Sequence, residues 1–149
     1  MRRELRFKTF DDALAELQRL EQGPVITLGD WSFYQILDHC AGSIQNSMNP
    51  NARPLPSLKK RVVGFIAKHV IFCKGCLPAG IQNPKAPSQR VEGDAQVAAK
   101  KLRDAITAFK DYSGPLAPHP FFGSLTKAEW QRILIFHLAN HLGFVRSKK

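Results

Sequence analysis

Thr126-Lys127-Ala128-Glu129-Trp130-Gln131-Arg132-Ile133-Leu134-Ile135-Phe136-His137-Leu138-Ala139-Asn140-His141-Leu142-Gly143 is the stretch on which the fold turns. Thr126 and Glu129 have capping-box spacing, so a helix starts at Thr126. Gly143 ends it. His137 and His141 are four residues apart, which on a helix puts both imidazoles on one face about a turn apart. Two such rings can reach one divalent ion. Leu138 stands where a zinc metalloprotease helix has its glutamate, which excludes that chemistry. The pair is equally compatible with two ordinary, partly buried polar residues, and a third ligand decides between the readings. His39 falls within an earlier helix, His119 lies in the loop before the last one, and His69 sits among Ile66, Val70 and Phe72.

Upstream the apolar spacing is again helical, and alternating strand-like runs are scarce. A first, shorter helix is predicted over Phe10 to Gln22, capped by Thr9, with Asp11 and Asp12 in its first turn and Gly23-Pro24 after it. A second is predicted to start after Gly29 with Asp30 as its cap. Trp31, Tyr34, Leu37, Ala41 and Ile44 form its stripe. A third runs from a Ser57 cap to Phe72. Its Val62, Val63, Phe65, Ile66, Val70 and Ile71 predict deep burial, although Lys59, Lys60 and Arg61 oppose the dipole in its first turn. Residues 73–91 read as a loop. A fourth helix spans Glu92 to Asp111, with Val97, Ala98, Leu102, Ala105, Ile106 and Phe109 inward, and a second loop covers Tyr112–Ser124. The expectation is an all-α antiparallel four-helix bundle with an extra short N-terminal helix and two long loops, forming one domain over residues 1–149.

The 149 residues suffice for one core, and a hydrophobic share of 44% excludes a disordered or fibrous chain. Charge is the anomaly: 22 Lys+Arg against 12 Asp+Glu give +10. Between His39 and Arg90 there is no acidic residue. That segment holds Arg53, Lys59, Lys60, Arg61, Lys68, Lys74, Lys85 and Arg90, which supply +8 of the excess. Nucleic acid, or attraction of an anionic substrate, are the partners such a segment suggests. Phe65 and Phe72 are its only Phe, Trp or Tyr residues and both read as core, which leaves nothing for base stacking and favours a simply solvated basic face.

No apolar run is long enough to span a membrane and no secretory leader is evident, so the expected location is the cytoplasm. Three cysteines, Cys40, Cys73 and Cys76, fit a reducing compartment. Cys73-Lys74-Gly75-Cys76 is a C-x-x-C, readable as a redox pair, as half a zinc site with His69, or as two reduced cysteines at a helix end.

Trp31-x-x-x-Gln35-x-Leu37-x-His39, His119-Pro120-Phe121-Phe122-Gly123-Ser124-Leu125-Thr126, Trp130 and His137-x-x-x-His141 together resemble the DinB/YfiT-like superfamily, in a branch of unknown function. The resemblance covers residues 10 to 145. It implies a bundle with a metal at one end, held by His39, His137 and His141. Three protein ligands with an open position suit Zn²⁺ or Ni²⁺. Gln35 and Asn140 would support the imidazoles, Gln35 more readily because Asn140 adjoins His141 and points away, as Asp38 does beside His39. His119 and Trp31 would line the pocket. The implied activity is a metal-dependent thiol transferase or hydrolase acting on a small anionic or thiol-containing molecule, with homodimerisation as a further expectation. The alternative is a non-catalytic basic bundle that binds nucleic acid or another anionic partner.

Overall fold

The computed structural model describes residues 2–77 and 89–148. Among them are five helices and two short strands: α1 (Phe10–Glu21), β1 (Val25–Thr27), α2 (Phe33–Ser47), α3 (Leu58–Lys74), α4 (Ala95–Asp111), α5 (Lys127–Leu142) and β2 (Val145–Ser147). The part of the predicted 73–91 loop that includes Gly80, Pro84 and Pro87 lies outside the described residues.

Helix starts follow from side-chain caps. Thr9 and Asp12 form a capping box on α1, and Thr126 and Glu129 form the expected one on α5. For α2 the cap is Ser32, not Asp30. Ser32 Oγ accepts from the Gln35 N–H, and Gln35 Oε1 accepts the Ser32 N–H at 3.0 Å. Trp31 therefore precedes the helix instead of lying on its stripe. The start of α4 also moves inward, because Asp94 reaches the free N–H groups of Gln96 and Val97 at 2.8 and 3.2 Å. Ser57 occupies the cap position of α3 but makes no side-chain capping bond.

α1, α2, α4 and α5 share one apolar core. Phe10 and Leu17, Leu37 and Ile44, Leu102 and Phe109, and Leu134, Leu138 and Leu142 are fully enclosed in it. α2 packs against both α4 and α5. β1 pairs antiparallel with β2, Ile26 opposite Arg146, and so ties the α1–α2 connection to the chain leaving α5. Strands of three residues are too short to show a period, and the sequence pattern gives no sign of them. The N-terminal segment fastens the same end of α5: Arg3 donates its backbone N–H to the Gly143 carbonyl at 2.9 Å and its guanidinium to Glu16 at 2.6 Å.

α3 corrects the sequence reading. Only its Gly64 and Ile71 are buried. Val62, Val63, Phe65, Ile66 and Val70 are exposed. The helix sits on the rest of the protein through the narrow Gly64 side, where a Cβ would stand 1.9 Å from the Phe121 carbonyl oxygen. Lys68 pairs with Glu129 at 2.6 Å, and Phe72 packs edge-on against Phe136, with ring centroids 6.3 Å apart. An apolar side predicts burial, but here that side faces outward and the helix packs through Gly64 and Ile71 instead. Gly75, in the left-handed region at φ +66°, ends the helix. Val97 of α4, expected inside, is exposed, while Ala98, Leu102, Ala105, Ile106 and Phe109 are buried as their spacing predicts. No helix among the described residues is long and apolar enough to cross a membrane.

Candidate metal centre

Two rigid elements carry three imidazoles to one point. His39 stands in the second turn of α2, and His137 and His141 occupy the last turns of α5. Burial of Ile36, Leu37 and Cys40 on α2, and of Leu134, Leu138 and Leu142 on α5, sets the rotation of each helix. One ligand atom from each histidine lies within 4.8 Å of the others, and among the described residues this trio is the one His/Cys/Asp/Glu group so arranged. His39 Nε2 and His137 Nε2 are 3.1 Å apart. Two nitrogens each about 2.0–2.1 Å from a tetrahedral ion stand about 3.3 Å apart, so this pair already has chelating separation. In metal-free protein a direct contact at this distance needs one ring to donate and the other to accept, so it depends on their tautomers.

Electrostatics agree with a ligand role. Burial holds His39 below the ordinary histidine value, against the opposing pull of Asp38. Burial, then the neighbouring histidines, pushes His137 well below it. His141 is lowered to about 3 by burial, then by His39 and Arg2. All three are neutral at pH 7, the form that binds a cation. Among the described residues no carboxylate joins the trio: Asp38 turns to Lys101 at 2.7 Å.

Trp31 forms one wall. Its ring stacks on His141 at 5.7 Å with an interplanar angle of 6°, and meets His39 edge-on at 5.0 Å. His119, near enough to act electrostatically on His137, stacks on Phe122 at 4.3 Å and lies close to Trp130 at 5.2 Å. Its Nδ1 accepts the N–H groups of Phe121 and Phe122 at 3.2 Å each, so its proton is on Nε2. Burial, reinforced by the Arg53 charge, lowers it to about 3.

The two expected supporting residues are engaged elsewhere. Gln35 uses Oε1 for the Ser32 and Val91 N–H groups and Nε2 for the Gln89 carbonyl, fastening the segment before α4 to the start of α2. Asn140 accepts from Arg2. Neither is bonded to an imidazole; a glutamine at the third helix position is drawn into the cap. His69 lies on the exposed side of α3, its Nδ1 2.8 Å from the Phe65 carbonyl. Cys73 is exposed and Cys76 half-buried, and neither joins a ligand group. Cys40 is a core residue whose thiol is pushed up by burial.

Sequence reasoning missed two arginines as neighbours of the site. Arg53 carries its charge near His137 and His119, and Arg2 carries its own near His141. Arg53 was visible only as one member of the basic segment. Arg2 lies 139 residues before His141 in the chain, and only the docking of the N-terminal segment on α5 brings them together.

The model of one family, described as a protein of unknown function (DUF1569), matches residues 1–148. The chain belongs to DUF1569. No curated protein and no solved structure matches it. In this DUF1569 chain the match spans the three histidines, the Trp31 wall and the His119 loop together.

Proposed function

We propose that this DUF1569 chain is a metal-dependent enzyme of DinB/YfiT-like type, with His39, His137 and His141 as ligands to Zn²⁺ or Ni²⁺. The observation that carries the reading is the convergence of three neutral, half-buried imidazoles, two of them 3.1 Å apart, on helices fixed by the core. Half-burial matters as much as proximity, since it leaves the cluster reachable for a further ligand. An ion held by three protein nitrogens keeps an open position, where it lowers the pKa of a thiol or water and supplies a nucleophile near neutral pH.

The chain's own groups favour an anionic substrate. Arg53 and Arg2 place positive charge beside the three histidines, the nearby Asp38 carboxylate is paired with Lys101, and the Trp31 ring lies flat against His141. Thiol transfer or hydrolysis is the reaction class proposed. Absorption spectroscopy at the metal edge of Zn- or Ni-loaded protein tests the ligand set. Three imidazole nitrogens at about 2.0–2.1 Å, plus at least one exchangeable light atom, are expected. A sulfur in the shell, or fewer than three imidazoles, would overturn the assignment.

A further inference from the structure

The outer face of α3 is inverted for a surface helix. Leu58, Val62, Val63, Phe65, Ile66 and Val70 are between 49% and 72% exposed. At 100° per residue they occupy one side, opposite the buried Gly64 and Ile71. A soluble protein seldom leaves so many large apolar side chains together in water, and such patches mark interaction surfaces. The orientation is fixed from beneath. Gly64 rests on the Phe121 carbonyl, Lys68 holds Glu129 at 2.6 Å, and Arg132 lies over the Phe72 ring at 4.3 Å. Rolling α3 to bury its apolar side would break all three contacts.

Charge identifies the occupant. Lys59, Lys60 and Arg61 in the first turn of α3 and Lys74 at its end are exposed, and no acidic residue lies between His39 and Arg90. Two copies meeting through this face would press like charges together. The ridge is also convex: a single helix of 17 residues, about 25 Å long, standing on the surface. A fluid interface can take up a ridge that a preformed protein groove would have to match. We propose that α3 docks this protein on an anionic lipid surface, lying in the interface plane with its apolar side chains among the acyl chains and its lysines at the headgroups. This is the geometry of an interfacial amphipathic helix, which combines apolar burial with attraction to anionic lipid. It is independent of the metal centre, because none of the three histidines takes part.

Flotation of the full chain with vesicles tests the proposal. One set is phosphatidylcholine alone and the other phosphatidylcholine mixed with phosphatidylglycerol, each at low and high salt. The expected result is about tenfold more protein on the anionic vesicles at low salt, reduced but not abolished at high salt. Ile66→Asp, at an exposed position where the helical circular dichroism should stay unchanged, should bring binding to background, and Lys59→Glu should weaken it. Absence of binding to the anionic vesicles overturns the proposal. So does binding that Ile66→Asp leaves intact, which would reduce the effect to non-specific charge. A sedimentation shift showing a dimer that Ile66→Asp dissociates, without vesicle binding, assigns the face to a second copy instead. Salt-sensitive capture by duplex DNA without vesicle binding assigns it to nucleic acid.

Discussion

His39 is the residue on which the site depends, because it is the ligand candidate that α5 cannot supply. A helix alone offers the His137/His141 pair; the third imidazole arrives only if α2 packs on α5 in the observed rotation. Gln35, one turn earlier on α2, plays a different part from the one its position suggests. Its buried amide closes the α2 cap and clamps the Val91 N–H and the Gln89 carbonyl. Gln35→Ala strands these groups and should cost about 2–3 kcal/mol, read as a lower urea midpoint. Metal stoichiometry should stay unchanged under conditions where the variant is folded. An unchanged midpoint with lost metal would return Gln35 to the role of ligand support.

At the scale of elements, α3 makes the sharpest demand on a single residue. A Cβ at Gly64 meets backbone, which cannot rotate aside. Gly64→Ala should therefore destabilise by about 1–3 kcal/mol despite alanine's better helix propensity; a gain in thermal midpoint would mean that α3 does not sit on the Phe121 carbonyl. The same helix explains where sequence reading stopped. α5 was legible because its cap, its apolar spacing and its terminal glycine agree. α3 was misread because its apolar residues imitate a core helix, while the face that packs is marked only by Gly64, Ala67 and Ile71. Ser32 lost to Asp30 as the expected α2 cap because both are good caps, and only Gln35 three residues later distinguishes them. The β1–β2 pair carries no local signal at all. At the site, the three histidines could be named from the spacing and the family resemblance. The arginines beside them depend on how the N-terminal segment and the loop after α2 fold back, which spacing does not encode.

Across the whole molecule, burying neutral histidines links stability to pH. His119 and His141 are depressed to about 3, against an unfolded value near 6.5. The unfolded chain therefore binds more protons below about pH 6.5. The contribution is full above that pH and is lost as pH falls from 6.5 toward 3. At pH 5 each of the two histidines should subtract about 2 kcal/mol from the stability of metal-free protein. Urea unfolding of chelator-treated protein at pH 7.5 and pH 5 checks this. Equal midpoints would show that these rings are not buried in solution. Bound metal should steepen the acid loss, since protons then compete with the ion for the ligands.

The most direct measurement is the metal content of tag-free protein, wild type beside His39→Ala and His137→Ala, by elemental mass spectrometry after dialysis against limiting Zn²⁺ or Ni²⁺. About one ion per chain is expected in the wild type, with affinity reduced at least about a hundredfold in each folded variant. A wild type without metal, or variants that retain it in full, would contradict the assignment of His39, His137 and His141 as the ligand set.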